Sequence, residues 1–300
     1  MDAPTPHAAA SATVALLGVP YDAGSSFLRG PAEAPALLRG ALYSDSSNLW
    51  TENGTDLGAS GALADAGDVA LAPDQPGDDA SSAAVRAAIE AAARDILARG
   101  QRPLVLGGDH SITYPVLRAV RQVYPRLGIL HIDAHPDLYD TFEGRRFSHA
   151  SPFARIMDER LADRLTQVGI RTLNGHQRAQ AERFGVRIVD MREWVEAGGR
   201  LDQLGVRFDT PVYVSLDLDA LDPAFAPGVS HHEAGGLAVR EVVTLIQSLD
   251  ARIIGADVVE YNPRRDPVGI TAAAGAKLLK ELAARLLAAD APAIGAAAGK

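Results

Sequence analysis

Short apolar runs alternate with amphipathic stretches along most of the chain. Residues 13–19, 103–106, 127–132, 167–170, 186–189, 212–216 and 253–258 are such runs. They are too short for helices and are bounded by turn residues, which predicts buried strands. Val85, Ile89, Ile96 and Leu97 keep a helical spacing, predicting a helix over 80–99 that Gly100 stops. Pro31 opens a short helix reaching Leu42. Further helices are predicted at 114–123, within 151–164, at 176–183, at 239–249 and at 271–288. Residues 44–79, rich in Ser, Gly, Asp and Asn, read as the longest irregular region. Strands that alternate with helices imply an α/β protein with a parallel sheet covered on both faces. No internal repeat interrupts the pattern. One domain over 13–288 is therefore expected, between a disordered N-terminal tail (1–12) and an Ala/Gly-rich C-terminal tail (289–300).

Composition narrows the function. Of the 300 residues 47% are hydrophobic, enough for a sizeable core. A formal charge of −9 argues against nucleic acid or an anionic membrane surface as partner, and suits a cationic small substrate. No apolar run approaches the roughly 20 residues that span a bilayer. There is no cysteine, so disulfides and thiolate chemistry are excluded, leaving His and carboxylates as the strong ligands. Residues 1–12 contain no Lys or Arg and match neither a secretory nor a transit signal. The expectation is a cytoplasmic protein.

The chemistry gathers where strands end. After the run at 127–132 come Asp133, His135 and Asp137, at every second residue. In an extended backbone these side chains project to one side and can converge. Two carboxylates and an imidazole facing one another repel unless a cation sits between them. The plainer alternative is a solvated turn. Other strand ends add to the set. GGDHS at 107–111 places His110 at one, and SLDLD at 215–219 places Asp217 and Asp219, again two apart, at another. Asp257 and Glu260 follow the run that begins at Ile253. Open α/β sheets bind ligands outside the carboxyl ends of their strands. His110, Asp133, His135, Asp137, Asp217 and Asp219 are too many ligands for one zinc. Two divalent ions bridged by carboxylates and water would use all six. Oxygen and nitrogen donors without sulfur favour Mn²⁺ over Zn²⁺, although raw affinity runs the other way. Such pairs make water a nucleophile near neutral pH, so the chemistry is hydrolytic.

GGDHS, DAHPD, SHASPFA, SLDLDALDPAFAPG and VVEYNP, in this order, resemble the ureohydrolase family of arginases, agmatinases and related amidinohydrolases. SSFLRGP at 25–31, HPDLYDTFEG at 135–144, FSHASPFARIM at 147–157, GVSHHEAGGL at 228–237 and GADVVEYNPRRD at 255–266 are similar to its plant-type group. The resemblance runs from about residue 14 to 285. It implies a three-layer α/β/α sandwich with a parallel sheet of about eight strands, two Mn²⁺ per subunit, and homotrimers or homohexamers. The implied reaction releases urea and an amine from a small guanidino substrate. By the same resemblance one Mn²⁺ takes His110, Asp133, Asp137 and Asp217, and the other His135, Asp219 and the bridging Asp133 and Asp217. Asp137 also helps to aim the attacking water. His149 falls on the family's proton-shuttling histidine and Glu260 on the carboxylate that pairs with the guanidinium. Read plainly, His149 is a satisfied surface histidine, and Glu260 a strand-end partner of Arg264 or Arg265. His231 and His232 either line the substrate mouth or cap a turn.

The substrate's tail depends on fewer residues. The plant-type group usually has Asn where Arg145 stands, and an arginine can grip a carboxylate bidentately. Arg145 beside Arg146 thus predicts L-arginine, cleaved to L-ornithine and urea, or another guanidino acid such as guanidinobutyrate. An exposed basic pair would leave agmatine competitive. Formiminoglutamate is a further alternative substrate. A deacetylase-like enzyme would need one zinc and no second ligand set. A non-catalytic metal-binding assembly subunit would need neither His149 nor Glu260.

Overall fold

A computed structural model describes residues 13–59, 61–72 and 79–288; the tails expected at 1–12 and 289–300 lie outside them. Strand and helix alternate from the start: β1 (Val14–Gly18), α1 (Ala34–Leu42), β2 (Leu63–Asp68), α2 (Asp79–Ala98), β3 (Arg102–Leu106) and α3 (Thr113–Val123). The centre of the chain gives β4 (Gly128–Ile132), α4 (Pro152–Asp158), β5 (Arg164–Ile170), α5 (Gly175–Phe184), β6 (Arg187–Asp190) and α6 (Met191–Glu196). It closes with β7 (Val212–Asp217), α7 (Val239–Ser248), β8 (Ile253–Val259) and α8 (Ile270–Ala288).

The strands form one 8-stranded parallel sheet in the order β2-β1-β3-β8-β7-β4-β5-β6. Because side chains alternate across a strand, one apolar run supplies two cores. Leu104, Leu130, Ile132 and Leu216 pack with Leu38 of α1, Trp194 of α6, Val242 of α7 and Leu278 of α8. Val105, Ile129, Tyr213 and Ile254 face the other way, against Ile89 of α2, Leu117 of α3, Phe153 of α4 and Ala181 of α5. The result is the three-layer α/β/α sandwich.

Two elements were not legible. β2 (LADAGD) lies at the edge, pairs only with β1, and is largely exposed, so it needs no apolar run. It completes the eighth strand, and its Asp65 pairs with Arg39 of α1 at 2.9 Å. The short α6 begins where the Asp190 carboxylate accepts from the Glu193 N–H at 2.8 Å. Its Trp194 is fully buried and donates to Glu241 of α7 at 3.0 Å. Among the described residues no helix is long and apolar enough to cross a membrane.

Candidate metal centre and active site

The strand order decides what meets. β3, β8, β7 and β4 are consecutive neighbours at the middle of the sheet, although they are far apart in the chain. Their carboxyl ends carry His110, Glu260, Asp217 and Asp133. Gly108 lets the loop after β3 press against the loop after β1: a Cβ there would meet the Tyr21 carbonyl oxygen at 1.6 Å. That contact carries the bonds Gly108 N–H to Val19 O and Asp109 N–H to Tyr21 O.

His110 is fully buried, and its Nδ1 lies 3.1 Å from Asp133 Oδ2, 3.2 Å from Asp137 Oδ2 and 3.1 Å from Asp217 Oδ2. The other nitrogen, Nε2, sits 2.9 Å from Ser215 Oγ. Ser215 donates its proton to Asp257 at 2.7 Å, so His110 Nε2 is the donor and the Nδ1 lone pair faces the carboxylates. Nδ1 makes no hydrogen bond among the described residues. A lone pair turned toward three carboxylate oxygens is unfavourable unless a cation lies between them. His135 Nδ1 stands 3.0 Å from Asp219 Oδ2 and 3.5 Å from Asp133 Oδ1, so Asp133 faces both histidines. Burial, then the charges of Asp219 and Asp133, push the Asp217 carboxyl well above its usual range. Burial and Asp133 raise Asp137 to about 6. Without a cation these carboxylates resist ionising together, so the donor set fits a divalent pair.

Asp133, His135 and Asp137 do not converge by strand alternation. β4 stops at Ile132, and Asp137 has φ +52°, so a turn rather than a pleat brings Asp133, His135 and Asp137 together. Asp219 likewise lies in a 3-10 turn after β7. Glu260 also has a positive φ, +62°. Left-handed backbone is uncommon for a residue with a Cβ and tends to be retained where function needs it.

Beside the cluster, His149 Nδ1 lies 3.0 Å from Glu260 Oε1, which also accepts the His110 N–H at 2.9 Å. The Ser26 backbone nitrogen and Oγ lie 3.3 Å and 2.9 Å from His149 Nε2. The second Glu260 oxygen, Oε2, is buried with no hydrogen-bond partner among the described residues. Arg264 does not take it, pairing instead with Glu33 at 2.6 Å. Burial disfavours charged His149, but Glu260, Asp109 and Asp137 outweigh this and lift it to about 9. A cavity of about 220 Å³ opens over these groups, lined also by His231.

Several groups behind the cluster were not singled out from sequence. His131 donates from Nε2 to Asp133 Oδ2 at 2.8 Å, while Gln167 donates to its Nδ1 at 2.9 Å and to Pro136 O at 2.6 Å. Burial holds His131 down to about 4, in the neutral form this chain of bonds requires. Asp257, expected among the strand-end acids, instead lies inside β8 and accepts from Thr113, Tyr213 and Ser215. Polar residues inside apolar strands were the available signal, because a buried polar group must find partners.

Two substrate-tail expectations are corrected. The Arg145 guanidinium is spent on the carbonyls of Ala23 (2.6 Å), Gly24 (3.1 Å) and Ser25 (3.1 Å). It holds the loop that carries Ser26 and does not line the cavity. His232 bonds Pro227 O at 2.7 Å and caps its own turn, whereas His231 reaches the cavity. Arg146 is exposed and lies against Asp140 and Asp158. Arg145→Ala should therefore lower kcat/KM for arginine and agmatine by a similar factor, and lower stability by about 1–3 kcal/mol. Kinetics on both substrates with a thermal melt check this; a loss confined to arginine would restore the carboxylate grip.

The model of the arginase family matches residues 12–284. The chain belongs to the arginase family. Arginase 1, mitochondrial, of Arabidopsis thaliana is 48% identical over 289 residues, covering 92% of this chain and 82% of that protein. Arginase 2, chloroplastic/mitochondrial, of the same plant is 46% identical, covering 92% and 81%. The solved arginase from Medicago truncatula superposes with a TM-score of 0.83 at 43% identity, covering 92% and 88% of the two chains. Members of this metal-dependent family are hydrolases of the guanidino C–N bond, and this chain is one. The cytoplasmic expectation is overturned: these two plant relatives are named for mitochondria or chloroplasts.

Proposed function

We propose that residues 13–288 form one catalytic unit that hydrolyses L-arginine to L-ornithine and urea with two Mn²⁺ per subunit. His110, Asp133, Asp137 and Asp217 would hold one ion; His135, Asp219 and the shared Asp133 and Asp217 would hold the other. The observation that carries the reading is Glu260 Oε2, a buried carboxylate oxygen without a partner among the described residues, at the cavity beside the ligand cluster. A guanidinium offers N–H donors and positive charge, which such an oxygen accepts in a charge-assisted bond. The identity to plant arginases supports L-arginine among guanidino compounds. Homotrimers or homohexamers are the proposed assembly.

When bound, the ion pair supplies Lewis acidity that makes water nucleophilic near neutral pH. The chain's own groups do the rest. Glu260 would fix the guanidinium plane, and Asp137, held in its left-handed turn at the cavity wall, would help to aim the attacking water. A C–O bond forms as the C–N bond to the alkyl chain breaks. The departing nitrogen must take a proton, and His149, charged up to about pH 9, stands against Glu260 to give it. Ser26 holds the far side of that ring.

The test is urea release from arginine, agmatine and 4-guanidinobutyrate by enzyme titrated with Mn²⁺. Arginine is expected to have the highest kcat/KM. A clear preference for agmatine would overturn the assignment of L-arginine.

A further inference from the structure

The mouth of the cavity is short of cations and carries one uncompensated carboxylate. Glu233 lines it, as do Tyr139, Phe142 and Thr172, and the lining described here contains no Lys or Arg. Arg145 and Arg171, which bond loops around the site, are both committed to backbone. Arg145 is tied to the 23–25 carbonyls. Arg171, just past β5, donates to Asp219 O at 2.8 Å, Ala220 O at 3.2 Å and Gly169 O at 3.1 Å. It also donates to Glu233 O, from Nη2 at 2.7 Å and Nε at 3.1 Å.

That last contact locates Glu233. Arg171 joins its carbonyl to the turn carrying Asp219, so the 228–237 loop is held at a set height over the site. A Cβ at Gly236 would come within 2.7 Å of Asp222 N and 2.8 Å of Ala220 O, so this close approach of two backbones needs a glycine. The Glu233 backbone is held while its side chain is exposed, and no described cation pairs with its carboxylate. Asp137, Asp217, Asp219 and Glu260 deeper in the cavity have work to do with cations of their own; Glu233 has none.

We infer that Glu233 is a specificity-determining residue that receives the ammonium group of the substrate's tail. The enzyme then selects guanidino compounds bearing an amine and disfavours guanidino acids that lack one. This rests on the proposed guanidino-hydrolase reading and extends it to the other end of the substrate. A carboxylate here attracts an ammonium and repels a lone carboxylate, so its removal must act on the two substrate classes in opposite directions. A structural defect could not do that.

The experiment is kcat and KM, by urea release, for arginine, agmatine and 4-guanidinobutyrate with manganese-loaded wild type, Glu233→Gln and Glu233→Lys. Glu233→Gln is expected to raise KM for arginine and agmatine by about fivefold to tenfold, between an exposed and a partly buried ion pair. It should lower KM for 4-guanidinobutyrate, and Glu233→Lys should extend both trends. An equal shift for all three substrates, no shift, or wild type preferring 4-guanidinobutyrate would overturn the inference. If wild type with full metal releases urea from none of them, it is the proposed function that fails.

Discussion

Asp133→Asn or Asp217→Asn is expected to abolish urea release and to leave the purified protein short of metal. Asp133 faces both histidines: its Oδ2 is 3.1 Å from His110 Nδ1 and its Oδ1 3.5 Å from His135 Nδ1. Asp217 Oδ2 lies 3.1 Å from the same His110 Nδ1. In the proposed assignment each serves two ions, and a neutral amide offers one acceptor oxygen and no charge for that task. Removing one bridge also leaves the remaining buried carboxylates without their counter-charge, so the effect is not confined to one ligand. Metal content by elemental analysis and urea release by assay read the outcome together. Chelation of the wild type should act in the same sense on stability. A ligand present at 100 times its dissociation constant contributes about 2.7 kcal/mol, so stripping it should lower Tm by roughly 5 °C. Wild-type turnover with two metals in either variant would sink the ligand assignment.

His149→Ala is expected to keep both metals and to lower kcat by about 10² to 10⁴, the range for lost general acid–base help. The ring touches none of the six proposed ligands within hydrogen-bonding distance; its partners are Glu260 and Ser26. The sign with pH follows from its raised value of about 9. The donating form is charged, is present below that value, and is lost as pH rises through it. Wild-type kcat should therefore fall on the alkaline side, and that fall should be missing from the residual activity of the variant. Unchanged kcat would remove His149 from proton transfer, and lost metal would make it a structural residue.

Much of this protein was written locally. The apolar runs that became β3, β4, β7 and β8 end where GGDHS, DAHPD, SLDLD and VVEYNP begin, so strand and chemistry could be read from the same few residues. A central parallel strand must be apolar on both faces, which makes its run conspicuous. β2 escaped because an edge strand with one partner and open sides can be built from LADAGD. The residue types of the ligand cluster were likewise legible, since opposed carboxylates and imidazoles imply a cation whatever the backbone does.

What the sequence alone determined is therefore the alternation of elements, the parallel sheet and the donor chemistry, all set by interactions within a few residues. The tertiary structure decided who faces whom. The order β3-β8-β7-β4 makes neighbours of residues as distant as His110 and Glu260, and no periodicity encodes that adjacency. It turned Asp137 into left-handed backbone where alternation predicted a pleat, and gave Glu260 the same conformation at the end of β8. Arg145 went to the 23–25 carbonyls and His232 to Pro227 O, leaving Glu233 at the mouth. A long polar side chain bonds whatever backbone the fold brings within reach, so its role depends on distant loops and not on its neighbours in sequence.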